Sequence, residues 1–339
     1  LMERFGLPGR GNRFFPRCWG TKKRAAARWK EVRCMNKITE TLLGLVSDWK
    51  GVFKGAYNIR ENSQLAGRQN TEYITIESKT DKSGIDIYVK DGTKNKSVHI
   101  PVIITKTGIT EMVYNDFYIG DDCDVLIVAG CGIHNEGDEK SDHDGVHSFK
   151  IGKNSHVRYI EKHYGEGIGT GERIMNPTTI ADLDEGAFLE METVQIGGID
   201  STHRKTVVTA GKNAQVSIQE RILSDGKQDV VSDTQVILNG EGSRAQINSR
   251  SVAKGESTQL FYPKLTGNTD CFGHVQCDSI IMDNAKIRSI PEICANSVDA
   301  RLIHEAAIGK IAGDQILKLM TLGLTHEEAE EKILSGLLK

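Results

Sequence analysis

Three side chains near the C-terminus, Cys277, His304 and Glu305, have donor types that bind iron. Thiolate suits iron–sulfur chemistry, and imidazole or carboxylate can replace it on single irons. Cys277 sits in the run Gly273-His274-Val275-Gln276-Cys277-Asp278-Ser279. Twenty-seven residues later comes His304-Glu305-Ala306-Ala307-Ile308-Gly309-Lys310. Taken singly, Cys277 reads as a small buried hydrophobe, and His304 and Glu305 as solvated residues at a helix start. Cys271 and Cys294 lie nearby as auxiliary ligands, sulfur carriers or structural cysteines. No Cys-x-x-Cys occurs, so one chain offers too few clustered thiols for a four-cysteine site. Two copies meeting on a two-fold axis would double all three donors around one cavity. Such mixed, incomplete ligation would hold a cluster loosely.

A second group runs from Cys131 and His134 to His143 and His147. It reads either as a metal site or as a polar loop between strands, because its spacing matches no standard zinc pattern. Cys123 and Cys131 are also candidates for accepting sulfur. The glycines of Gly165-Glu166-Gly167-Ile168-Gly169-Thr170-Gly171 precede no helical pattern and are read as a flexible loop. No phosphate-binding Gly-x4-Gly-Lys-Ser/Thr loop occurs, so any ATP-derived energy must come from a partner.

The elements that must position these residues are mainly strands. The 339 residues include 35 glycines and only 6 prolines, which suits many short strands with tight turns. Residues 1–34 hold ten Lys/Arg against two Glu, while the remainder is acidic. That segment is read as an extension ahead of a start at Met35, in preference to a nucleic-acid arm or a transit peptide. Seven cysteines follow no disulfide framework, and no signal peptide or eighteen-residue apolar run occurs. The expected setting is therefore cytoplasmic, with neither a membrane nor a nucleic acid as partner.

Ile38, Leu42, Leu45, Val46 and Trp49 recur at helical spacing over 36–50. From Tyr73 the pattern switches to alternation. From about residue 120 a repeat of glycine, two polar residues, a small residue and then an aliphatic one places small residues at 123, 155, 187, 214, 245 and 285. A period near thirty residues predicts a β-solenoid whose stacked coils bury one aliphatic column. Ile308, Ile311, Ala312, Ile316, Leu319 and Met320 form an apolar helical stripe, Gly323 ends it, and Thr325-His326-Glu327-Glu328 caps a last helix. The expected organisation is a basic extension over 1–34, a helical segment over 35–70, a β-solenoid core over 71–295 and a helical domain over 296–339.

Gln276-Cys277-Asp278-Ser279, Ile290-Pro291-Glu292-Ile293, His304-Glu305-Ala306 and Gly313-Asp314-Gln315 together resemble the C-terminal signature of the SufB/SufD iron–sulfur cluster scaffold family. The resemblance covers roughly 36–339. It implies a mainly β fold, a right-handed parallel β-helix flanked by a short N-terminal helical segment and a C-terminal helical domain. It implies that Cys277 and Glu305 occupy the cluster-forming positions of the B-type subunits, and that His304 takes the D-type histidine position. One chain carrying both suggests a homodimer. The resemblance further implies a transient iron–sulfur cluster and an ABC-type ATPase partner, SufC-like, in two copies. That partner would dock around Gly309, Lys310, Ile311, Asp314, Gln315 and Leu319, and ATP-driven approach of its two copies would expose the Cys277 region. The longer B-type subunits take sulfur at a cysteine inside the core. This chain has no cysteine between 131 and 271, which counts against the same route here. The chain is thus read as a scaffold rather than an enzyme; a polysaccharide-active β-helix enzyme and a purely structural solenoid are the alternatives.

Overall fold

The computed structural model describes residues 36–338, and the basic segment 1–34 lies outside the described residues. The chain divides into two units, one spanning Asn36–Lys310 and one that begins at Ile311.

Alternation builds the first unit. In Phe188–Ile196 every second residue is buried, and the strands on either side repeat the pattern. A strand with one buried face needs neighbours that continue that face. Parallel pairing supplies them, and the result is a β-solenoid of about 8 turns. One sheet runs through Asp124–His134, His156–Glu166, Phe188–Ile196, Gln215–Ser224, Ser243–Ala253, Cys271–Ile281 and Ala300–Gly309. The facing sheet includes Thr110–Ile119, Ser141–Ile151, Ser201–Ala210, Asp229–Leu238 and Thr258–Gly267. Antiparallel pairs lie at the N-terminal end of each sheet. Among the described residues no helix is long and apolar enough to cross a membrane.

The ladder register corrects the repeat. Residues 123, 155, 187, 214, 243, 271 and 300 occupy one corner column, which is Cys, Ser, Ala, Ala, Ser, Cys and Ala. Ala245 lies two places further on, inside the strand, and Ala285 precedes a strand of the facing sheet. At several coils the residue before the corner is left-handed: Asp122, Asn154, Gly186, Asn213 and Gly242. Glycine, Asn and Asp tolerate that conformation best. Cys271 therefore stands where the repeat wants any small side chain.

Two expected boundaries shift. The helix α1 (Lys37–Ser47) forms with Asn36 as its cap, but Ala56–Glu61 and Gln64–Gln69 are strands rather than helix. At the other end Ala300–Gly309 is a strand, so the helical region starts later than 296. Its ladder with the neighbouring strand runs from Cys271 to Ile280 without a break, and that pairing overrides any helical preference. Ile308 therefore belongs to a strand and not to the helical stripe. The glycine run 165–171 also differs from a loose loop. Gly169 and Gly171 donate to the carbonyls of Asn135 and Gly137 at 3.1 and 3.0 Å, and Gly167 has φ +113°.

The second unit holds α2 (Gly313–Thr321) and α3 (His326–Leu337), packed on each other. Gly323 is left-handed, and Thr325 and Glu328 form the expected capping box.

Candidate functional site

Strand parity decides which of the C-terminal donors meet. Cys277 is buried and points inward from Cys271–Ile281, beside Val275. Val275 pairs with His304 and Cys277 with Ala306, so His304 and Cys277 are diagonal neighbours on the inner face of adjacent strands. Glu305 lies on the outer face, where His274 Nε2 is 3.5 Å from its carboxylate. One chain therefore brings Cys277 and His304 together and holds Glu305 apart. The Cys277 thiol is pushed up to about 11 by burial. Burial lowers His304, and its Nε2 is buried without a partner. The two groups are thus neutral, one a thiol and the other an imidazole with an unsatisfied nitrogen.

The auxiliary cysteines do not join them. Cys271 is six residues away on the same strand, roughly 20 Å at strand spacing. Cys294 belongs to Glu292–Ala295 on the other sheet, and its thiol donates to Asn296 Oδ1 at 3.3 Å.

The group Cys131, His134, His143 and His147 separates in the same way. His134 lies between Glu166 and Glu136, at 3.2 and 3.0 Å. His147 is held by the Tyr159 hydroxyl at 2.6 Å and by Asn115 at 3.1 Å, and burial drops it to about 4. His143 donates through Nδ1 to Glu111 Oε1 at 3.2 Å. Among the described residues no cluster of three or more His, Cys, Asp or Glu has the geometry to hold a metal ion. Cys131 is nonetheless set apart. Burial would raise its thiol, but the charges of His143, and then His163, bring it down to about 7.

Sequence reading missed what lies between the two thiols. Across the coils Ile127, Tyr159, Met191, Ile218, Ile247 and Val275 stack in register and end at His304. The neighbouring inward column reads Ala129, Glu161, Thr193, Glu220, Ser249 and Cys277. The interior thus has an apolar side and a polar side. Glu161 forms an ion pair with Arg204 from the facing sheet, and His163 Nε2 is 3.2 Å from its other oxygen. Arg204 Nη2 also donates to His163 Nδ1 at 3.2 Å. Ser232 and Ser249 donate to Glu220 at 2.6 and 2.8 Å. Buried charges are retained only when paired and hydrogen-bonded, and these are. His163 pairs with Cys131, so a file of polar side chains joins the Cys131 coil to the Cys277 coil over about 24 Å, at ~4.8 Å per strand. A charged residue at an inward strand position, as in Tyr159-Ile160-Glu161, was the signal available.

The residues expected to dock a partner fall in both units. Gly309 and Lys310 end the first, while Ile311, Asp314, Gln315 and Leu319 belong to the second. On α2 no residue is buried, and Leu317 and Met320 are exposed, as is Leu322 just after it.

The family model described as SUF system FeS cluster assembly, SufBD core domain, matches residues 115–337. An iron–sulfur cluster assembly SufBD family protein of Methanocaldococcus jannaschii is 32% identical over 84% of this chain and 90% of its own length. One from Pyrococcus horikoshii is 26% identical over 83% of this chain and 86% of its own length. One from Archaeoglobus fulgidus is 26% identical over 81% and 73%.

Proposed function

Since the chain belongs to the SufBD family of iron–sulfur cluster assembly proteins, we propose that it is a scaffold on which such clusters form, acting as a homodimer with a SufC-like ABC-type ATPase. The carrying observation is the placement of Cys277 and His304 on one inner face at the terminal edge of the solenoid. Ala300–Gly309 ends its sheet, so one side of the strand has no strand partner among the described residues. An open edge is a template for pairing with a second chain. A two-fold seam there gathers two copies of Cys277 and two of His304 on a continuous inner face. Glu305 from each copy lies on the other face and acts outside that set. Cys277 binds iron only as thiolate, so its raised pKa requires the seam to open or iron to displace the proton. The exposed apolar residues of α2 support docking of the ATPase, whose cycle supplies the opening. The chain itself catalyses no ATP hydrolysis in this reading. Cys131 takes up sulfur, and the polar file joins it to the cluster position.

Anaerobic reconstitution with iron and sulfide tests this. The wild-type dimer turns brown with charge-transfer absorption, Cys277→Ala abolishes it, and His304→Ala weakens it. Full colour in Cys277→Ala overturns the assignment.

A further inference from the structure

The edge strand Ala300–Gly309 carries two charges of opposite sign on its outer face, Arg301 and Glu305. In the ladder with Cys271–Ile281 they stand, with Ile303 and Ala307, beside outward residues, while Leu302, His304, Ala306 and Ile308 stand beside inward ones. Arg301 is exposed and has no hydrogen bond or ion pair among the described residues. Glu305 has His274 Nε2 3.5 Å from one oxygen, and its side chain is 65% exposed. A second copy that joins this edge across a two-fold axis runs antiparallel to the first. Residues directly opposite then share a face, so the inner and outer faces stay continuous only where the two residue numbers have an even sum. Two such registers use nearly the whole strand. With residue 305 on the axis, residues 301–309 pair, but the two Glu305 carboxylates stand directly opposite each other, and like charges there are destabilising. With residue 304 on the axis, residues 300–308 pair, and Arg301 lies diagonal to Glu305 of the other copy. Diagonal neighbours are about 7–8 Å apart, within the reach of a long side chain. The registers centred on 303 or 306 leave three residues at one end of each strand without a partner.

We propose that Arg301 of each copy pairs with Glu305 of the other across the seam, and that these two pairs fix the register in which the two His304 side chains stand opposite each other on the axis. This rests on reading the chain as a homodimer joined at that edge. Arg301 and Glu305 are then positioning residues on the outer face for the donors on the inner one. In this register Ala300 stands opposite Ile308, which is 39% exposed in the single chain, and each His304, whose Nε2 is buried without a partner, faces its twin. A shift to the register centred on 303 sets His304 against Leu302, and one centred on 305 sets it against Ala306. Either shift separates the imidazoles, so the outer charges decide which inner donors meet.

The test is a charge swap read by sedimentation of the full chain. Arg301→Glu and Glu305→Arg each raise the dimer Kd about tenfold, because each replaces two attractive contacts by two repulsive ones. The double variant, with the charges exchanged, returns to within about threefold of wild type. Cysteine cross-linking reads the register separately. With 304 on the axis, residue 303 stands opposite 305, so an equimolar mixture of Ile303→Cys and Glu305→Cys chains forms a disulfide-linked dimer on mild oxidation and neither variant does so alone. Cross-linking of Ile303→Cys alone, or of Glu305→Cys alone, places another residue on the axis and overturns the proposal. Single reversals that leave the Kd unchanged, while Ile308→Lys still breaks the dimer, overturn it too and leave the homodimer standing. A wild-type chain that stays monomeric removes the homodimer and this inference with it.

Discussion

Arg204 shows how much one side chain carries inside a narrow coil. It faces Glu161 and Glu220, and all three are buried. Removing one partner of a buried pair leaves an uncompensated charge, so Arg204→Leu lowers stability by about 3–5 kcal/mol in urea unfolding. Adding Glu161→Leu to that variant recovers part of the loss. The pH dependence has a definite sign. Burial would raise Glu111, but His143 and Arg60 hold it down to about 2, and Arg204 and His163 hold Glu161 below its usual range. A depressed carboxylate stabilises above its unfolded pKa and loses that contribution as pH falls through the folded one. His147 acts in the same direction, because the unfolded chain takes its proton near 6.5 and the folded chain only near 4. Urea midpoints measured at decreasing pH therefore fall from about 6.5 downward, and most steeply below 4.5. A flat profile across that range counts against the charged interior.

At the scale of elements, close approach fixes the docking of α1. It packs on Asp124–His134, and a Cβ on Gly130 would lie 2.0 Å from the Val46 carbonyl oxygen. Gly130→Ala costs roughly 1–3 kcal/mol, the usual range for overpacking. Hydrogen exchange then shows faster exchange over Lys37–Ser47 while the central coils stay protected. Gly198 meets a similar limit, with φ +77° and the Gly165 carbonyl oxygen 1.7 Å from an added Cβ. Alternation, capping and corner turns were legible because each depends on residues a few places apart. The strand Ala300–Gly309 was not, because a short apolar run reads equally as helix or strand until a neighbour pairs with it.

For the whole molecule, the proposal turns on the open edge of the last coil. Ile308 lies on that edge strand and is 39% exposed. Ile308→Lys places a charge of the kind natural sheets use to block edge pairing. The expected result is a dimer mass for wild type and a monomer mass for the variant, with reconstituted cluster lost although Cys277 is intact. A wild-type monomer across a wide concentration range removes the homodimer.

The sequence by itself determined the repeat and the solenoid, because strand parity and turn chemistry are written locally. It did not determine that Glu305 turns away from Cys277, that Ser243 rather than Ala245 holds a corner, or that Arg60 and Glu111 reach His143. Those outcomes depend on how many residues each turn uses before the next strand joins the ladder. A change of one reverses every side chain that follows, and only the closed coil decides which residues face each other across its interior.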